Sequence, residues 1–185
     1  MHSAIQEAKI RADLILARAK TGDASTLSRF KSLQDLKHLP LGELARELSR
    51  KHALTLIARE LGFPNWPLAK QVLSGDHEGT HFGDLLYPKA CFGFLNNWYA
   101  DYEEARAQRD HTNGFLLAYR RQYFVVGAQY IQTMGLDPHD EAWSKMGWDW
   151  ARPKDLAART QLYAQLLSEM KRETVVSGQE RSVST

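Results

Sequence analysis

The stretch Phe92–Gly135, FGFLNNWYADYEEARAQRDHTNGFLLAYRRQYFVVGAQYIQTMG, decides how this chain is read. It carries two long helical patterns joined by the turn signal His111-Thr112-Asn113-Gly114. On the first, Leu95, Trp98, Tyr99, Tyr102, Ala105 and Arg109 share a face. Winding Phe115 to Met134 at about 100° per residue gathers Arg121, Gln122, Gln129, Gln132 and Thr133 into one polar stripe and sets Arg120 almost opposite it. A guanidinium on an apolar face needs a carboxylate or other acceptors, because an unpaired buried charge costs several kcal/mol. Asp149, between two indoles, is the first candidate partner and Asp101 the second.

Aromatic side chains concentrate around this stretch. Residues 82–150 hold fifteen of the nineteen, and an aromatic stripe at helical spacing is usually packing. The functional alternative is a ligand pocket lined by Trp98, Tyr102, Tyr119, Tyr123, Trp148 and Trp150, with Arg120 at its base and Asp149 beside it, suited to an anionic small molecule.

Toward the C-terminus, Asp137-Pro138 starts a short helix to about Lys145, MGWDWARP is a tight connection, and a last helix runs from Pro153 to about Lys171, burying Leu156, Ala157, Thr160, Tyr163, Ala164 and Leu167. Residues 173–185 read as a disordered polar tail. Toward the N-terminus, residues 74–90, SGDHEGTHFGDLLYPKA, form the main break, with three glycines and a proline. His77, Glu78, His81 and Asp84 raise the question of a metal, His at i and i+4 being able to share a helix face. Gly79 and Gly83 argue against a helix there, and a solvated loop is the preferred reading; the sequence implies no cofactor.

The first seventy-five residues read as successive helices: Ser3–Lys20 capped by Ser3 and stopped at Thr21-Gly22-Asp23, then Ala24–Leu33, Leu41–Ser49, His52–Leu61, and a helix through Leu73 capped by Asn65 with Pro67 in its first turn. HALTLIARELGFPNWPLAKQVL also fits the outline of a helix-turn-helix, with Gly62 at the turn and Ala58 four residues before it. Its nucleic-acid candidates are Arg59, Asn65 and Lys70. Only one cation and one amide would face a groove, so an ordinary helical hairpin is preferred.

Composition sets the outer bounds. The chain has 185 residues, 43% of them hydrophobic, enough for a substantial core. Its first twenty residues lack an unbroken apolar core and no run reaches the length of a membrane span, so a cytoplasmic protein with no membrane partner is expected. The single Cys91 excludes an internal disulfide and a Cys-based zinc site, and its apolar neighbours point to a buried structural thiol. Net charge is +2, divided as +5 over residues 1–75 and −3 over residues 76–185. That basic excess is small beside the footprint of a nucleic-acid binder.

Two resemblances accompany these readings. AKIRADLILARAKTGDASTLSRFKSL with HALTLIARELGFPNWPLAK resembles a helical module of uncharacterised bacterial proteins, sometimes found ahead of ankyrin repeats; it covers roughly the first seventy-five residues and implies a scaffold role. Its hallmarks are Gly22-Asp23, Arg29-Phe30, His52-Ala53, Ala58-Arg59, Gly62-Phe63 and Trp66. Residues 85–167 are similar to a bacterial type marked by NNWYADYEEAR and GWDWARPKD, a resemblance that implies no reaction.

The expectation is therefore an all-α bundle of about eight helices in two packed layers, with an N-terminal module (1–75), a linking loop (76–90) and an aromatic-rich bundle (91–172). Phosphate-cradling glycine loops, nucleophile elbows and paired thiols are missing from the sequence, which favours a binding or regulatory protein over an enzyme. Its ligand would be a protein partner or a small anion. A helix-turn-helix regulator is the first alternative, and a small-molecule enzyme using Arg120 and Asp149 is the second. Oligomeric state is not fixed by the sequence.

Overall fold

A computed structural model describes residues 3–75 and 81–179. Ser3 opens helix α1 (Ala4–Lys20) with a capping box, accepting from the Gln6 amide while the Gln6 side chain accepts from its own. Ala4, Ala8, Ala12 and Ala19 are fully buried, and this narrow face lets other helices approach closely. Asp23 caps α2 (Ala24–Phe30). Helices α3 (Leu41–Glu47), α4 (Arg50–Glu60) and α5 (Trp66–Ser74) follow, the last capped by the Asn65 side chain with Pro67 in its first turn, as the sequence predicts. The α4–α5 turn depends on Gly62, which has φ +77°; a Cβ there would lie 2.2 Å from Asp84 Cγ.

The second half corrects the all-α expectation. Asn97–Tyr99 is strand β1, and Tyr102–Thr112 is helix α6, capped by Asp101. The stretch read as one long helix is a hairpin of β2 (Phe115–Tyr119) and β3 (Gln122–Val126) followed by the short helix α7 (Ala128–Thr133). The antiparallel sheet runs β1-β3-β2. Phe115 pairs with Val126 and Leu117 with Phe124, sending these four into the main core. Leu116 and Ala118 point the other way, into a second cluster with Tyr102, Ala105 and Phe82. A strand buried on both faces shows a continuous apolar run instead of alternation, so FLLAY carries no period-two signature.

Helix α8 (Glu141–Met146) is capped by Asp140, three residues beyond the expected Asp137. Helix α9 spans Leu156–Gln179, and residues 180–185 of the tail read as disordered lie outside the described residues. It packs on α8 and returns to α1 and α5. A single cluster of buried apolar side chains therefore runs from Ala4 to Leu167. Among the described residues, no helix is long and apolar enough to cross a membrane.

Candidate functional site

Arg120 occupies the tip of the β2–β3 hairpin with φ +51°, and its side chain is 57% exposed. Its partner is neither Asp149 nor Asp101 but Asp84, which takes Nε at 2.8 Å and Nη2 at 3.1 Å. Backbone bonds complete the clamp: Arg120 N donates to Gly83 O at 2.9 Å and Phe82 N donates to Arg120 O at 2.8 Å. The Asp84 amide in turn donates to Leu61 O at 2.9 Å, so the loop 82–84 ties the α4–α5 turn to the hairpin tip. Arg120 is thus a surface anchor, and the expected buried pair is corrected. A two-residue turn, Arg120-Arg121, interrupts the expected helix at this residue.

The aromatic pocket expected around Arg120 is also dispersed. Strand alternation places Trp98 and Tyr119 together on one face of the sheet, with ring centroids 5.8 Å apart, and Tyr123 on the other against Tyr102 at 5.6 Å. Trp150 is fully buried between Trp143 and Tyr163. Trp148 is 41% exposed and has φ +52°.

Asp149 and Tyr102 do come together. The Tyr102 hydroxyl donates to Asp149 Oδ2 at 2.5 Å, and the Arg152 amide donates to Oδ1 at 2.8 Å, so both oxygens of this 5% exposed carboxylate are engaged. Residues 148–150 run beside β2: Leu116 N donates to Trp148 O and Trp150 N to Leu116 O, each at 2.9 Å. This covers the β2 edge and aims Asp149 at the start of α6. Desolvation, reinforced by the Asp149 carboxylate, raises the Tyr102 phenol above its ordinary range.

Around this pair lies a cleft of about 290 Å³ whose lining, among the described residues, holds the cations Arg106, Arg109, Arg152 and Lys154 and one acidic residue, Asp149. Each cation is delivered by a separate constraint. Arg106 and Arg109 project from α6 three residues apart, hence from one side of the helix. Arg109 Nη1 donates to Gly147 O at the end of α8, and its Nη2 meets Asp110 at 2.6 Å. The Arg152 guanidinium lies 3.7 Å over the Tyr102 ring and reaches Glu103 at 3.1 Å. The Lys154 stem lies over Gly147, 3.3 Å from where a Cβ would be, so a larger residue there would crowd it. Glu103 also meets Arg106 at 3.7 Å, so Glu103 and Asp110, outside the lining, partner three of the four cations, and Lys154 has no ion pair among the described residues.

The buried arginine that the sequence suggested exists elsewhere. Arg159 on α9 is 1% exposed; its Nη1 donates to Trp150 O at 3.0 Å, whereas Nε and Nη2 have no hydrogen-bond partner in the structure. Burial pushes this guanidinium's pKa down, opposed by the nearby Tyr163 and Asp149. It shares a face with Leu162, Tyr163 and Leu166, one step round from the face assigned by sequence, and that shift hid it.

Of the other site candidates, Asp84 is spent on Arg120, and the His81 ring accepts from the Gly83 amide at 3.3 Å. His77 and Glu78 lie outside the described residues, among which no group of three metal-binding side chains converges. Asn65 accepts from Leu68 N as a cap, Arg59 donates to Ser32 O at 3.3 Å, and Lys70 is exposed. Cys91 is buried, as expected of a structural thiol, and burial raises its pKa. Compared with known proteins, the chain matches no family model, no curated protein and no solved structure.

Proposed function

We propose that the protein binds a small anionic ligand in the cleft between α6 and the 146–154 connection. The carrying observation is the gathering of Arg106, Arg109, Arg152 and Lys154 along a cleft whose one lining carboxylate among the described residues already holds two hydrogen bonds, with four cations set against three carboxylates when Glu103 and Asp110 outside the lining are included. Guanidinium groups suit this task because their fixed donor forks match phosphate and carboxylate oxygens. Binding is a better reading than catalysis. A general acid or base works best with a pKa near the operating pH, whereas the Tyr102 phenol is displaced upward, away from neutrality.

Calorimetric titration with inorganic pyrophosphate tests this reading. Wild type is expected to bind with an affinity that falls as salt rises, and Arg152→Gln with Lys154→Gln is expected to weaken binding about tenfold or more. The Arg152 side chain is 63% exposed and Lys154 is exposed, so losing the Tyr102 and Glu103 contacts of Arg152 is expected to cost only about 1 kcal/mol and leave the double variant folded. Absence of binding by wild type, or equal binding by the double variant, overturns the proposal.

A second reading, engagement of a protein partner, draws on one surface. Phe92 (57% exposed), Leu95 (104%) and Trp98 (37%) present apolar area near β1, an open edge of the sheet. Its simplest case is a second copy of the chain. Sedimentation should then show concentration-dependent association that Leu95→Glu abolishes; a monomer at every concentration counts against that case.

A further inference from the structure

We propose that the ligand of the basic cleft is a nucleotide, its phosphates held among the four cations and its base stacked on the Trp148 indole. This inference rests on the anion-binding reading above and adds the identity of the rest of the molecule. A second concavity of about 260 Å³, lined by Arg109, Asp110, Asn113, Gly114 and Trp148, adjoins the cleft. The two share Arg109, and Trp148 is flanked in the chain by Gly147 and Asp149, both of which line the cleft. Together they reach the size of an ordinary small-molecule site, roughly 300–1,000 Å³.

Trp148 departs from its neighbours in two respects. Trp143 and Trp150 are 1% and 0% exposed, whereas Trp148 is 41% exposed. Its φ of +52° is rare for a bulky residue and is kept in place by hydrogen bonds from Trp148 N to Trp143 O at 2.8 Å and from Leu116 N to Trp148 O at 2.9 Å. The chain thus adopts a disfavoured backbone conformation that leaves a large flat ring at the mouth of a pocket. Such a ring offers a stacking platform to a planar heterocycle, a contact worth about tenfold or more in affinity.

The rest of the pocket suits the edge of a base. Asn113 supplies a carboxamide with donors and an acceptor, and Asp110 supplies a carboxylate whose Oδ1 already meets Arg109 at 2.6 Å. Beside them the wall must be glycine: a Cβ on Gly114 would stand 2.9 Å from Val125 Cγ1 and from Val126 O. Arg109 lines both concavities and stands at their junction, held by Gly147 O and by its ion pair with Asp110. An anion without a flat ring leaves this second pocket and the exposed indole unused.

The experiment titrates wild type and Trp148→Asn with pyrophosphate, adenosine and ADP, read by calorimetry and tryptophan fluorescence. Asparagine tolerates positive φ, so the substitution removes the platform without straining the backbone; Trp148→Gly is the second variant, easier still on the backbone. The expected result is that wild type binds ADP about tenfold or more tightly than pyrophosphate, with indole quenching, while both variants bind the two alike and keep the wild-type affinity for pyrophosphate. Equal affinity of wild type for ADP and pyrophosphate, or an ADP preference that survives in the variants, overturns the nucleotide and leaves the anion cleft standing. Failure of wild type to bind pyrophosphate or ADP overturns both.

Discussion

The N-terminal helical layer and the hairpin region use similar residues under opposite constraints. In α1, burial on one side leaves Ala4, Ala8, Ala12 and Ala19 as a stripe whose period is visible in the string. In β2, Phe115 and Leu117 face the main core while Leu116 and Ala118 face α6, so every position is apolar and the period vanishes. One-sided burial writes its geometry into sequence, and two-sided burial erases it. The function proposed here belongs to the erased side, because the sheet presents α6 to the 146–154 connection and so brings the cations of the cleft together.

The largest test asks whether the two regions behave as one body. Phe124 and Leu56 are 0% and 2% exposed and belong to a single buried cluster. Phe124→Ala is expected to cost about 3–5 kcal/mol and Leu56→Ala about 2–5 kcal/mol. In calorimetry each should shift one common unfolding transition; two resolved transitions, each responding to one variant, would divide the core at the 82–84 loop.

The next effect lies on the loop that joins the regions. Gly62→Ala must accept φ +77° and a Cβ within 2.6 Å of three Asp84 atoms, so a loss of about 2 kcal/mol or more is expected in denaturant melts. A neutral outcome would mean that the α4–α5 turn and the 82–84 loop are not in contact.

A comparable loss is expected for Tyr102→Phe, about 1.5–3 kcal/mol, because Asp149 Oδ2 loses its donor inside a protein environment. This variant also has a pH signature. The folded state holds the Tyr102 proton above the ordinary tyrosine range of about 10. The resulting stability is fully present below pH 10 and declines as pH rises toward the folded value, since the unfolded chain ionises first. Alkaline melts should therefore fall more steeply for wild type than for Tyr102→Phe, and parallel curves would refute the assignment. Tyr130 and Tyr163 are raised too, chiefly by burial, so the variant keeps part of the slope.

Arg120→Leu should have the smallest effect, about 0.2–1 kcal/mol, as befits an exposed ion pair. A large loss would restore the buried arginine expected from the sequence.

How much of this was legible follows from local chemistry. Ser3 and Asn65 announce their helices because caps act within three residues, whereas Asp23, read as part of a helix stop, caps α2. The hairpin tip Arg120-Arg121 lacks the Asn-Gly or Gly that usually announces a two-residue turn; the loop 82–84 holds Arg120 at positive φ from 36 residues away. Asp149 and Tyr102 could be picked out from their aromatic setting, and they do meet. Their companions Arg106, Arg109, Arg152 and Lys154 look in the string like ordinary solvated charges, since only the fold brings α6 and the 146–154 connection to one cleft.

Amide chemical-shift mapping during a pyrophosphate titration tests the central claim most directly. The account predicts saturable shifts confined to residues 102–114 and 146–154, with α1 to α5 unmoved. Shifts centred on Arg59, Asn65 and Lys70 instead, or no shift at any amide, would contradict it.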